Sequence, residues 1–180
     1  VDISPDNQFI ASSSLDGTIK IWDIHAGKVM KTFSASKVLG VKTVKFNPAQ
    51  YWVAASWGDR RIRYYDLNTL EMINASPKDS NPCYRISFKE DGSCLYAANT
   101  DNMKIYDLEA NVIMDIVMKP HRKVMDLKWG SDHIFVADQT SKSVIVSSVE
   151  ESLLNYDNTV QISKSISESG VNPFKQSFYK

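Results

Sequence analysis

Apolar and polar residues alternate in short stretches along the first 149 positions, and turn-forming residues interrupt them at regular intervals. A period of two places successive side chains on opposite faces, the pattern of a half-buried strand. It predicts strands at Phe9 to Ser14, Thr18 to Asp23 and Val29 to Phe33, with turns at Leu15-Asp16-Gly17 and His25-Ala26-Gly27. Further strands are predicted at Val41 to Phe46, Tyr51 to Trp57, Arg61 to Asp66 and Glu71 to Ala75, then at Cys83 to Phe88, Cys94 to Asn99, Met103 to Asp107 and Val112 to Met118. A last set, Val124 to Trp129, His133 to Ala137 and Val144 to Val149, is one strand shorter. No segment before residue 150 sustains a helical period, so the expected class is all-β.

The strand pattern repeats. Ile21-Trp22-Asp23-Ile24, Tyr64-Tyr65-Asp66-Leu67 and Ile105-Tyr106-Asp107-Leu108 share one form, their central aromatics 43 and then 41 residues apart. A second marker keeps step: Ser4-Pro5-Asp6, Asn47-Pro48 and Asp91-Gly92 precede the second strand of each repeat. A period of about 42 residues with four strands is that of a propeller blade carrying a Trp-Asp signature. The expected fold is therefore a partial WD40 β-propeller, about three and a half four-stranded blades of a ring that usually has seven. Its repeats cover about 1–40, 41–82, 83–122 and 123–149, and residues 150–180, rich in Ser, Asn and Lys, read as a linker or disordered tail. A short edge strand at Thr159 to Ile166 is the alternative for that tail. A ring cannot close on this many blades, so strand edges should stay unpaired at both ends and the isolated chain should behave poorly in solution.

Asp16, Asp59 and Asp101 precede each third strand, where a short carboxylate caps backbone N–H groups. In the complete form of such a repeat that Asp joins a His, a Ser or Thr and the Trp in one hydrogen-bonded set. Here Asp16, Ser12 and Trp22 are present in the first repeat, while Tyr65 and Tyr106 replace Trp and no Gly-His precedes the later repeats. The later blades are expected to rely on packing.

Composition narrows the partners. Lys+Arg and Asp+Glu number 21 each, so overall basicity does not recommend nucleic acid. Apolar runs reach five residues (Tyr51 to Ala55, Cys94 to Ala98), far below the roughly 18 to 20 of a membrane-spanning helix. Val1 and the residues after it show no signal peptide. Cys83 and Cys94 flank a predicted hairpin, where register separates them by roughly 16 Å, so they are expected to be free thiols of a reducing compartment.

Candidate chemistry is sparse. Gly27-Lys28 lacks the glycine that a phosphate-binding loop requires, Trp22 standing in its place. No G-x-S-x-G or H-E-x-x-H occurs. His25, His121 and His133 are scattered and read as surface loop residues, without metal-ligand spacing. Glu90-Asp91 and Glu150-Glu151 fall in turns or at a boundary. The expectation is a protein with no catalytic, metal or cofactor site. One charge feature stands out: Arg60, Arg61 and Arg63 at the second repeat's third strand, echoed by Lys20 and Lys104, with Arg122 and Lys123 before the fourth repeat. It reads either as a solvated face balanced by nearby Asp or as a basic rim that steers an acidic protein surface.

The order of less generic residues resembles the WD-repeat regulatory subunits of the microtubule-severing complex katanin. The first repeat, Asp16-Gly17-Thr18-Ile19-Lys20-Ile21-Trp22-Asp23 with Ala26-Gly27-Lys28, is similar to their fifth blade. The second, Asp59-Arg60-Arg61-Ile62-Arg63-Tyr64-Tyr65-Asp66-Leu67, is similar to their sixth. Cys94-Leu95-Tyr96 and the shortened turn before Met103-Lys104-Ile105-Tyr106 carry the likeness furthest, and it continues through Lys123-Val124-Met125-Asp126-Leu127. The Ser34 to Gly40 connection and the Asn74 to Asn81 segment depart from it. The resemblance implies a noncatalytic subunit that targets and modulates a separate AAA ATPase, with microtubules, tubulin and spindle-pole proteins as partners, in the cytoplasm and at the centrosome. The family's ATPase-gripping helical region has no counterpart in these residues. The alternative is a WD-repeat scaffold of another complex, such as a ubiquitin-ligase or RNA-processing assembly.

Overall fold

A computed structural model of the protein describes residues 1–34, 40–117, 123–130, 133–139 and 144–150. Arg122, His121 and the 150–180 tail beyond Glu150 therefore lie outside the described residues. Four antiparallel meanders succeed one another along the chain. The first holds β1 (Asp2–Ile3), β2 (Phe9–Ser13), β3 (Thr18–Asp23) and β4 (Lys28–Ser34). The second holds β5 (Val41–Phe46), β6 (Trp52–Trp57), β7 (Ile62–Asp66) and β8 (Glu71–Ala75). The third holds β9 (Arg85–Phe88), β10 (Leu95–Ala98), β11 (Asn102–Tyr106) and β12 (Val112–Val117). The fourth holds β13 (Lys123–Gly130), β14 (His133–Gln139) and β15 (Val144–Glu150). No helix occurs among the described residues, and the fold is a partial WD40 β-propeller.

The middle sheets bury both faces against their neighbours, and this is why their strands alternate so weakly in hydrophobicity at the centre. Ala11, Ile19, Ile21 and Phe33 of the first sheet pack on Val44, Val53, Trp57 and Tyr65 of the second. The opposite face of the second sheet, Ala54, Ile62 and Tyr64, meets Ile86, Phe88, Leu95 and Tyr106 of the third. Tyr96, Met103, Ile105 and Ile116 on the third sheet's far face meet Leu127, Trp129, Ile134 and Val136. Trp57, Tyr64 and Tyr96 are fully buried, and each such side chain stabilises by about 1.5–3 kcal/mol.

The three repeat aromatics occupy one structural position. Trp22, Tyr65 and Tyr106 pair across to Ile10, Val53 and Leu95 on the second strand. Each lies at a register shift against the fourth strand, between Ile21/Trp22, Tyr64/Tyr65 and Ile105/Tyr106. A bulge at that point inserts Met30, Ile73 and Ile113. Tyr65 and Tyr106 turn toward the preceding sheet, and Tyr65 thus reaches Phe33, ring centroids 4.3 Å apart.

First strands lie side by side on the inner edge, β1 by β5, β5 by β9 and β9 by β13. There polar bonds cross between sheets. Phe46 N–H donates to Asp2 Oδ2 (2.9 Å), and Trp129 N–H donates to Ser87 Oγ (3.3 Å). Arg85 Nε–H donates to the Met125 carbonyl (2.5 Å).

Candidate interaction site

Asp16 and Asp59 cap the turns before their third strands, where the sequence places them, and the repeat residues Asp23, Asp66 and Asp107 hold the turns that follow those strands. Asp16 Oδ1 accepts from the Thr18 N–H (2.9 Å) and hydroxyl (2.7 Å), which holds its carboxyl below the ordinary value. Asp23, Asp66 and Asp107 each accept from a backbone N–H of the turn into the fourth strand, those of Ala26, Asn68 and Asn111. Asp101 differs: Asn99 Oδ1 caps its turn, accepting from the N–H groups of Asp101 and Asn102 (2.8 Å each). Asp101 instead accepts from the Asn81 side chain (2.6 Å). The turn shortened by one residue moves the capping oxygen back two positions.

In the first sheet Trp22 Nε1–H donates to Ser12 Oγ (3.0 Å). Ala55 and Ala97 stand where Ser12 stands, each two pairs along from Tyr65 and Tyr106. The hydroxyl partner is lost in the same repeats that lose the indole. Desolvation pushes the phenols of Tyr65 and Tyr106 far up, so both stay neutral.

The basic cluster is tied to its own blade. Arg63 makes two parallel bonds to Asp59, Nη1 to Oδ1 at 3.0 Å and Nη2 to Oδ2, and its guanidinium lies 5.1 Å from the Trp57 ring centroid. Arg61 donates to the Ser76 carbonyl (2.7 Å) and Arg60 to the Ser80 carbonyl (2.9 Å). Lys104 bridges Asp79 (2.9 Å) and Asp115 (3.6 Å), and Lys20 lies 5.8 Å from the Trp22 ring. Lys123 begins β13. His133 is not a loop residue: it opens β14, half-buried, its ring 6.2 Å from that of Phe135. His25 lies in an exposed turn as expected. Cys83 and Cys94 are free thiols, and burial pushes Cys83 up to about 12. No cluster of His, Cys, Asp or Glu suited to a metal ion occurs among the described residues.

The sequence assigns no chemistry to the opposite rim, where the turns from first to second strands lie, although its Ser4-Pro5-Asp6 and Asn47-Pro48 marker falls in those turns. A pocket of about 170 Å³ opens there between the first and second sheets, lined by Pro5, Phe46, Pro48, Tyr51 and Leu67, with Asp6 at its mouth. Asp6 Oδ1 accepts from Ser4 Oγ–H (2.6 Å) and Gln8 N–H (3.1 Å), and Oδ2 accepts from Tyr51 O–H (3.1 Å). The Ser4 bond first, then those of Gln8 and Tyr51, hold its carboxyl below the ordinary value. Phe46 and Pro48 also wall a second cleft of about 520 Å³ that runs inward over β9 and β13.

Comparison with known proteins agrees with the repeat. The family model described as "WD domain, G-beta repeat" matches residues 1–23 and 27–66. The chain is 30% identical over 119 residues to small ribosomal subunit protein RACK1 of Caenorhabditis elegans, a match covering 60% of this chain and 36% of that protein. To RACK1 of Schizosaccharomyces pombe it is 31% identical over 112 residues, 57% of this chain and 35% of the relative. To RACK1z of Oryza sativa subsp. japonica it is 30% identical over 116 residues, 60% and 34%. The chain thus spans about a third of the length of the curated relatives it matches. The matched stretches take in the first sheet and most of the second, and the third sheet continues them with the same strand order and the same bulge, so the repeat of this chain is similar to the WD40 repeat.

Proposed function

We propose that the protein is a noncatalytic WD40 scaffold that assembles other proteins. The observation carrying this reading is the stack of sheets locked by inter-sheet bonds such as Asp2 to Phe46 and Ser87 to Trp129, which holds turns and inter-blade grooves in fixed array. A rigid framework with variable turns is suited to binding, because the site is preorganised and little entropy is lost on contact. Arg60, Arg61 and Arg63 serve on this reading mainly to hold their own turn.

Two finer assignments rest on different observations. The RACK1 relatives favour a general interaction scaffold, and their name raises association with the small ribosomal subunit. The sequence resemblance carried by Cys94-Leu95-Tyr96 is the support for the second, a katanin-type subunit that acts with an AAA ATPase on microtubules at the centrosome; the relatives back the general scaffold better. Affinity purification of the full-length protein followed by sedimentation tests both. Co-migration with small ribosomal subunits supports the first. Recovery of an AAA ATPase, with altered microtubule severing, supports the second. A protein that purifies without any stable partner contradicts the scaffold reading itself.

A further inference from the structure

The pocket beside Asp6 has chemistry specific enough to name its occupant. Its walls are two prolines, Phe46, Leu67 and the ring of Tyr51, which is 50% exposed, so an apolar side chain entering it leaves water on most sides. A volume of about 170 Å³ suits one residue of leucine to phenylalanine size. The surroundings are acidic. Asp6 stands at the mouth, Asp66 precedes Leu67 in the wall, and the Glu90-Asp91 turn is fastened alongside by the bond from Asn47 Nδ2–H to the Gly92 carbonyl (2.9 Å). Lys45 pairs with Asp2 at 3.0 Å, and Lys89 lies 3.5 Å from Asp91 and offsets its charge, while Lys128 lines the larger cleft; the acidity left at the pocket itself is that of Asp6, Asp66 and Glu90. Asp6 is fixed by three hydrogen bonds and exposed, so its charge is presented in one place at no ordering cost. The larger cleft sharing Phe46 and Pro48 gives an extended segment room to continue inward.

We propose that this groove between the first two blades docks a short extended segment of a partner protein, one apolar anchor residue in the pocket and flanking Lys or Arg against Asp6 and Glu90. The proposal rests on the scaffold reading and adds its surface and partner chemistry. Opposite charges set orientation and encounter rate, while the buried anchor sets residence time.

Fluorescence anisotropy of the full-length protein with three labelled synthetic peptides tests it: a Lys-Leu-Lys core, a Lys-Ser-Lys core and a Glu-Leu-Glu core. The Lys-Leu-Lys peptide is expected to bind most tightly, and more weakly as salt rises. Pro48→Lys, on an exposed wall residue, and Asp6→Asn should each weaken it roughly fivefold to tenfold. Equal binding of all three peptides, or unchanged affinity in a folded Pro48→Lys variant, overturns the proposal. Asp6→Asn also loosens the Ser4 turn, so Pro48→Lys is the deciding variant. Co-purification separates the two levels: a native protein that recovers its partners but binds none of the three peptides leaves the scaffold standing and removes this groove. Peptide binding by a protein that co-purifies with nothing removes the scaffold and leaves the groove.

Discussion

Asn47 donates its side-chain amide to the Gly92 carbonyl at 2.9 Å, joining turns of neighbouring blades, while its own Oδ1 accepts from the N–H groups of Ala49 (2.8 Å) and Gln50 (3.0 Å). The Asn47 side chain is buried, so its bond to the Gly92 carbonyl forms away from water, while the two to Ala49 and Gln50 are partly covered. Gly92 is held with φ +74°, and a Cβ there would run into the Asn47 side chain.

Asn47→Ala leaves the Gly92 carbonyl and two turn amides without their partner, and should cost about 2–3 kcal/mol of stability. Gly92→Ala should cost at least about 1 kcal/mol from backbone strain alone. Because the two sites touch, the double variant should fall short of the sum. Denaturant melts of the four proteins measure this coupling; strict additivity would mean that the turns do not meet.

Asp59 and Arg63 make the strongest test of pH dependence. Burial raises the Asp59 carboxyl, but the Arg63 hydrogen bond and charge more than offset it, leaving it below the ordinary 3.8. A carboxyl depressed in the folded state contributes stability above its unfolded pKa, and that contribution is lost as pH falls below about 4 through the folded value. Asp59→Asn should cost about 1–3 kcal/mol at pH 7 and flatten the acid limb of the stability curve. Melting temperatures between pH 2 and 7 check both effects.

Charge reversal separates holding a turn from recruiting a partner. Arg60→Glu and Arg61→Glu, whose guanidiniums donate to the Ser80 and Ser76 carbonyls, should lower stability by about 1 kcal/mol each and leave partner recovery unchanged. Loss of an acidic partner at unchanged stability would instead assign these arginines to a docking rim.

The aromatic position offers a swap. Ser12→Ala removes the acceptor of Trp22 Nε1–H and should cost about 1 kcal/mol. In the Ser12→Ala background Trp22→Tyr should be less costly than in the native protein, because Ala55 with Tyr65 and Ala97 with Tyr106 already form that combination. A double-mutant cycle in chemical denaturation gives the answer.

Apart from the two-residue β1, too short for alternation to mark, strand positions are legible in the sequence to within two residues, since alternation survives wherever one face packs on a neighbour. Trp52–Trp57 begins one residue after the Tyr51 expected, and Arg85–Phe88 two residues after Cys83. The repeat is legible because Trp22, Tyr65 and Tyr106 sit at one bulge that each blade needs. What the sequence hides lies between blades. Tyr51 and Asp6, or Asn47 and Gly92, are 45 residues apart, and no local pattern links them. Capping by Asn99 in place of Asp101 is hidden too, because a one-residue deletion shifts the geometry without changing residue type. The pairing of Arg63 with Asp59 is the balance by a nearby Asp that the sequence suggests, whereas the acceptors of Arg60 and Arg61 are backbone carbonyls, which every residue carries and no pattern marks.

Hydrogen exchange at Phe46 and Trp129 tests the stacking of the blades most directly. Their N–H groups donate to Asp2 Oδ2 and Ser87 Oγ on the preceding sheet. Both amides should exchange as slowly as the central strands β6 and β10, and Ser87→Ala should release Trp129 at least about tenfold while Asp2→Ala releases Phe46. Rapid exchange at both positions in a protein whose central strands remain protected would show sheets that fold side by side without interlocking, and would contradict a rigid scaffold.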